Sequence, residues 1–148
     1  PEAAVWPVRL ALVDAAGRPM AEARSDAAFG LALDVVIRKP TRLRAVLTIH
    51  AADGTAVTTV ATSTGEAEGL PPGPHRLLAR ITSPRLVGGT YTVALTLGHA
   101  LYGRAFHEAR AIDFPVVDVD AEGGSAWERS PGPVRAEVAW ETTRLTGA

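Results

Sequence analysis

The residues best suited to chemistry are one acidic run and four histidines. Asp118-Val119-Asp120-Ala121-Glu122-Gly123 sets acids at alternate positions with a glycine sixth, as the first half of a calcium loop does. The twelfth position, where such a loop needs a bidentate glutamate, is Arg129, and Glu128 stands one place early. The run therefore reads as a solvated acidic loop. His50, His75, His99 and His107 do not pair at ligand spacing on one short element, and no cysteine assists them. His99 and His107 flank an irregular segment and are the pair that folding can bring together. There is no Gly-x-Ser-x-Gly elbow for a serine nucleophile, and no carboxylate pair is singled out for glycoside hydrolysis. The expectation is a chain without catalytic residues, metal or cofactor.

The elements that position these residues are strands. From Thr90 the chain alternates strictly, with Tyr91, Val93, Leu95 and Leu97 on one side and Thr90, Thr92, Ala94 and Thr96 on the other. A period of two gives a strand with one buried and one wetter face. Pro84 and Gly88-Gly89 precede it as breaker and turn. Leucine, a short spacer, glycine and then tyrosine entering a strand is a frequent start to a late strand of an immunoglobulin-like sandwich. There the ring joins the core and the hydroxyl bonds nearby backbone.

The same period predicts the other strands. Trp6 to Val13 carries Val8, Leu10 and Leu12 on one face, and Met20 to Arg24 reads as a short edge strand. Phe29, Leu31, Leu33, Val35 and Ile37 form the longest run, predicting a central strand. Leu43, Ala45, Leu47 and Ile49 follow, with Arg44, Val46, Thr48 and His50 outward. Asp14–Pro19 is a turn, and Asp53-Gly54 is a hairpin turn before the threonine- and valine-rich segment Ala56–Ser63. Gly65–Pro74 is a loop, and Leu77, Ala79 and Ile81 mark a strand. Gly98–Glu108 reads as a loop or broken strand, Ile112, Phe114 and Val116 alternate again, and Asp118–Pro133 is a long polar loop. Val134, Ala136, Val138 and Trp140 form the last strand. About eight short strands with turn signals between them predict an all-β fold, an antiparallel immunoglobulin-like or jelly-roll β-sandwich occupying residues 1–148 as one domain.

Composition narrows the function classes. The net charge is −1, with 15 basic and 16 acidic residues, so the basic excess of a nucleic-acid module is missing. No apolar run reaches the length of a membrane-spanning helix, and Pro1–Val5 lacks the features of a signal peptide. Without cysteine, the chain suits a reducing compartment. The start lacks methionine, so the expectation is a piece of a longer protein.

Several short motifs recur together in one order. They are Asp14-x-x-Gly17, His50-Ala51-Ala52-Asp53-Gly54, Leu86-x-x-Gly89-x-Tyr91-x-Val93-x-Leu95, Phe114-x-Val116 and Gly132-x-Val134 leading to Trp140. Over roughly Trp6–Trp140 this resembles the C-terminal carbohydrate-binding domain of the ATPase subunit (Wzt type) of bacterial O-antigen polysaccharide ABC exporters. The resemblance implies a non-catalytic sandwich that follows a nucleotide-binding domain and recognises the glycan to be exported. It also implies a cytoplasmic location at the inner face of the inner membrane, with the nucleotide-binding and permease parts of the transporter as partners. It further implies a homodimer, with exchange of the C-terminal strand 134–140 as a feature of the fold. No Gly-x-x-x-x-Gly-Lys-Ser/Thr loop occurs, as expected of a domain apart from its ATPase.

A sugar ring shows an apolar C–H face and a polar rim, so a typical site sets a flat aromatic among donors and acceptors. Tyr91, Phe29, Phe114 and Trp140 fall on inward registers and read as core, and Trp6 reads as a packing residue at the sheet end. That leaves Tyr102 and Trp127 as stacking candidates. His50, Arg80, Thr96, Arg104 and His107 are candidates for a polar groove. The alternative is a protein-interaction or dimerisation module without sugar binding, suggested by Val36, Val46, Val60 and Leu78 on registers that read as outward.

Overall fold

The alternating segments form nine strands in a computed structural model, which describes residues 5–40, 42–63, 70–83, 86–99, 103–118 and 137–145. They are β1 (Val5–Val13), β2 (Ala23–Arg24), β3 (Phe29–Ile37), β4 (Leu43–His50), β5 (Ala56–Ser63), β6 (Gly73–Ser83), β7 (Gly89–His99), β8 (Gly103–Val117) and β9 (Glu137–Arg144). A four-stranded sheet has the order β1-β3-β6-β9, and a five-stranded sheet has the order β2-β8-β7-β4-β5. All pairings are antiparallel except the short one between β2 and β8. The fold is the expected all-β sandwich.

The two inner faces make the core. Leu31, Leu33, Val35, Ile37, Leu77, Ala79 and Ile81 from one sheet are buried with Leu43, Ala45, Leu47, Ile49, Val93, Leu95 and Leu97 from the other. Phe29, Phe114 and Tyr91 stack in series, with centroids 5.6 and 5.9 Å apart. The Tyr91 hydroxyl donates to the Val87 carbonyl at 2.7 Å, which fixes the chain as it enters β7. This is the role that the glycine-x-tyrosine spacing predicted. Burial of His75 is satisfied by a 2.8 Å bond between its Nε2 and the Pro71 carbonyl oxygen.

The four-stranded sheet also buries part of its outer face. Val13, Ala32 and Leu78 form a second small cluster there, beside the Asp14–Pro19 turn. Gly30 sits beneath them, where an added Cβ would lie 2.8 Å from Val13 Cγ2 and 3.2 Å from Leu78 Cδ1. Asp34 and Arg76 close the neighbouring surface with a bidentate pair at 2.7 and 3.0 Å.

Several expectations need correction. Val8 is not on the inner face. It is the extra residue of a bulge between Pro7 and Arg9, and it is 63% exposed. Val5 takes the buried place before the bulge, and Leu12 takes it after. Trp6 is 50% exposed rather than packed under the sheet, and meets Phe106 edge-on at 5.7 Å. Val60 pairs with Leu47 and is buried, not outward. Leu78 is outward but covered by the second cluster. β6 begins at Gly73, inside the expected loop, and β8 runs unbroken through Arg104, Phe106 and His107. The last strand runs beyond the expected end at Trp140 to Arg144 and pairs with β6 of the same chain, and residues 134–136 of the expected strand lie outside the described residues. The long loop after Asp118, with Trp127, lies outside the described residues.

The close approach over Gly30 yields a stability test. Gly30→Ala is expected to lower unfolding free energy by about 1–3 kcal/mol in urea titrations. The loss should shrink when measured in a Val13→Ala background, because the two side chains compete for one space.

Candidate functional site

The outer face of the five-stranded sheet is polar and built from short side chains. Thr48 meets Thr59 across β4 and β5 with hydroxyl oxygens 3.2 Å apart. Thr92 donates to Asp113 at 2.6 Å across β7 and β8, and Thr96 lies 2.8 Å from His107 Nδ1. Such alternation of hydroxyls leaves a flat, wettable surface on the far side from the core.

Two irregularities turn one end of this face into a cleft. The first is the β4–β5 turn. Gly54 takes φ 89°, Ala51 N–H donates to Thr55 O at 2.8 Å, and Asp53 Oδ1 accepts Thr55 N–H at 2.8 Å. The Thr55 bonds hold the Asp53 carboxyl below its ordinary value. His50 Nδ1 lies 3.3 Å from the Gly54 carbonyl oxygen. A carbonyl can only accept, so Nδ1 is the donor in this contact, and in the neutral ring Nε2 is then the acceptor.

The second irregularity is a wide bulge in β8. Val93 pairs with Ile112 and Leu95 with Glu108, so Ala109, Arg110 and Ala111 stand opposite Ala94 alone. Bulges bend a strand and re-aim its side chains. Here Ala109 and Arg110 are exposed, and the Arg110 N–H is held by Glu108 Oε1 at 3.1 Å. Arg110 Nη2 donates to Asp113 Oδ2 at 3.2 Å. The Thr92 hydroxyl and then the Arg110 guanidinium hold the Asp113 carboxyl below its ordinary value.

Between the turn and the bulge lies an open cleft of about 410 Å³, floored by His50, Thr90 and Thr92 and walled by Ala52, Arg110 and Asp113 among others. That volume falls in the range of small-molecule sites. It offers hydrogen-bonding groups at His50, Asp113, Arg110 and Thr90, and among the described residues no phenylalanine, tyrosine or tryptophan lines it. Among the described residues no group of three metal-ligating side chains exists, and no helix is long and apolar enough to cross a membrane.

Of the residues singled out in the sequence, His50 lines the cleft. Thr96 and His107 share its face farther along β7 and β8, joined to each other. Arg104 lies in β8 opposite Gly98. Arg80 is elsewhere, on the outer face of the four-stranded sheet, where it pairs with Glu141. Tyr102 and Trp127 lie outside the described residues. Thr92, Arg110 and Asp113 were not anticipated as site residues. Thr90 and Thr92 stood on the wetter side of their strand, which was a usable signal, whereas the bulge left none.

The fold is an all-β sandwich of two mostly antiparallel sheets, with an open polar face on one of them. The chain is similar in structure to a crystal structure of the C-terminal domain of Wzt, with a TM-score of 0.64 and 10% sequence identity, over 99% of this chain and 83% of that one. No protein-family model matches the sequence, and comparison with curated proteins gives no match.

The Thr92–Asp113 bond sets a pH dependence. Its folded pKa being lowered from 3.8, Asp113 adds stability that is complete above that value and lost as the pH falls through the lower folded one. Carboxyl NMR titration should place the Asp113 midpoint below 3.8, and Thr92→Val should move it upward. An unmoved midpoint would mean that the hydroxyl does not hold the carboxylate.

Proposed function

We propose that this chain is a non-catalytic polysaccharide-binding domain that recognises an O-antigen-type glycan for export by an ABC transporter. The observation that carries the reading is the cleft of hydroxyl, imidazole, guanidinium and carboxylate groups on a sandwich with the fold of the Wzt C-terminal domain. Sugar hydroxyls both donate and accept, and the cleft presents both complements. Thr96, His107 and Arg104 continue the binding surface along β7 and β8, and Tyr102 and Trp127 supply stacking rings. Arg80 lies on the opposite sheet and is not part of this groove.

In this reading the 148 residues are one domain of a longer ATPase subunit, and the domain works in the cytoplasm at the inner face of the inner membrane. Its partners are the nucleotide-binding and permease parts of the transporter. Two copies form a homodimer, so weak contacts along a repeating glycan gain from intramolecular binding of the second site. Exchange of the last strand is one route to that dimer, since the β9 register on β6 can be offered equally by a second copy.

One observation favours a second reading, a protein-interaction module. Trp6 and Val8 are exposed close together on the edge strand β1, as a partner surface would require.

Two experiments test these readings. In ¹H–¹⁵N NMR titrations with export polysaccharides, amides of Gly54, Thr92 and Ala109–Asp113 should shift. His50→Ala should weaken binding roughly 5- to 30-fold, as expected for a lost hydrogen bond of 1–2 kcal/mol, and Arg80→Ala should leave it unchanged. Silence at the cleft with every glycan, together with dimer loss on Trp6→Ser, would favour the second reading. Light scattering tests assembly. Full-length chain should be dimeric, and removal of residues 134–148 should give monomer or unfolded chain.

A further inference from the structure

The charges around the cleft bear on which glycans it accepts. Arg110 is the one cation lining it among the described residues, and it is already engaged by Asp113 at 3.2 Å. Asp113 is held in place by the Thr92 hydroxyl and remains ionised at neutral pH. A second carboxylate, Glu108, is fixed beside the bulge by the Arg110 backbone N–H at 3.1 Å. The bulge thus carries one guanidinium, its Asp113 partner and a second carboxylate held on its backbone.

The hydrogen-bonding roles point the same way. His50 Nδ1 donates to the Gly54 carbonyl, so the neutral ring offers Nε2 as an acceptor. Asp113 likewise only accepts. Alcohols bring O–H donors to both acceptors. A carboxylate or phosphate group on a sugar brings none, and would meet a guanidinium whose charge Asp113 already offsets, beside that ionised carboxylate.

Resting on the glycan-binding reading above, we infer that the cleft selects uncharged sugar units and rejects anionic ones. Arg110 then serves as a hydrogen-bond donor to hydroxyls, with Asp113 cancelling its charge. Ala51, Ala52 and Ala109 contribute methyl groups in place of an aromatic platform, which suits a sugar lying flat.

The test is a matched NMR titration of the full 148-residue chain. The neutral probes are mannan, dextran and galactan oligosaccharides. The anionic probes are oligogalacturonate and oligosialic acid of equal length. At least one neutral probe should shift the Gly54, Thr92 and Ala109–Asp113 amides, with the anionic probes at least tenfold weaker. Asp113→Asn keeps the shape but frees the guanidinium, and should raise oligogalacturonate affinity at least threefold without a matching gain for the neutral probe. Glu108→Gln should act in the same direction more weakly. Salt should leave neutral binding unchanged, since no ion pair is made or broken. Anionic probes that bind as tightly as neutral ones, or an Asp113→Asn chain with no gain, would overturn the charge selection and leave glycan binding standing. Absence of shifts with every probe would overturn both.

Discussion

The contact between the two inner faces is what the rest of the molecule depends on. Leu31, Leu33, Val35 and Ile37 from β3 and Leu43, Leu47 and Ile49 from β4 are nearly or wholly without solvent contact, and they come from opposite sheets. Burying a side chain of this size contributes about 1.5–3 kcal/mol. Neither sheet can bury its greasy side alone, so the layers fold as one. Because a strand's side chains alternate, committing one side to the core commits the other to the outer face, which is polar on the five-stranded sheet and partly covered by Val13, Ala32 and Leu78 on the four-stranded one. The polar face is therefore a consequence of the core, and the site inherits its stiffness from it.

That coupling explains which irregularities the fold tolerates. A bulge of one residue reverses the phase of a strand, so β1 exchanges odd for even inward positions at Val8 and ejects that valine. A bulge of two extra residues keeps the phase. In β8 the inward series runs from Phe106 to Ile112, Phe114 and Val116 across the insertion. Val93 and Leu95 stay buried while Glu108, Ala109 and Arg110 are exposed. A site can be raised on such a strand without loss of packing below it.

The same arithmetic accounts for what could be read in the sequence. β3, β4 and β7 were legible because their alternation is unbroken, and Asp53-Gly54 marked its turn. Val8 was misplaced because a pattern count assumes constant phase. β5 has valines of both parities, Val57 and Val60, so only its pairing with β4 decides that Val60 is inward. β9 reaches Arg144 because β6 extends back to His75, although Thr142 and Arg144 give no apolar signal. The cleft was half legible, in His50 and the threonines of β7. The other half was hidden because a two-residue bulge leaves the period intact. Arg80 drew attention as an outward cation, but an outward register does not say which sheet it belongs to.

In the proposed glycan-binding role, the sugar lies between the Ala51–Gly54 turn and the Ala109–Ala111 bulge. A crystal structure with a bound neutral oligosaccharide tests this most directly. Sugar density is expected in that cleft, with hydroxyls bonded to His50, Arg110 and Asp113. Sugar bound on the outer face of the four-stranded sheet, around Arg76 and Arg80, would contradict it.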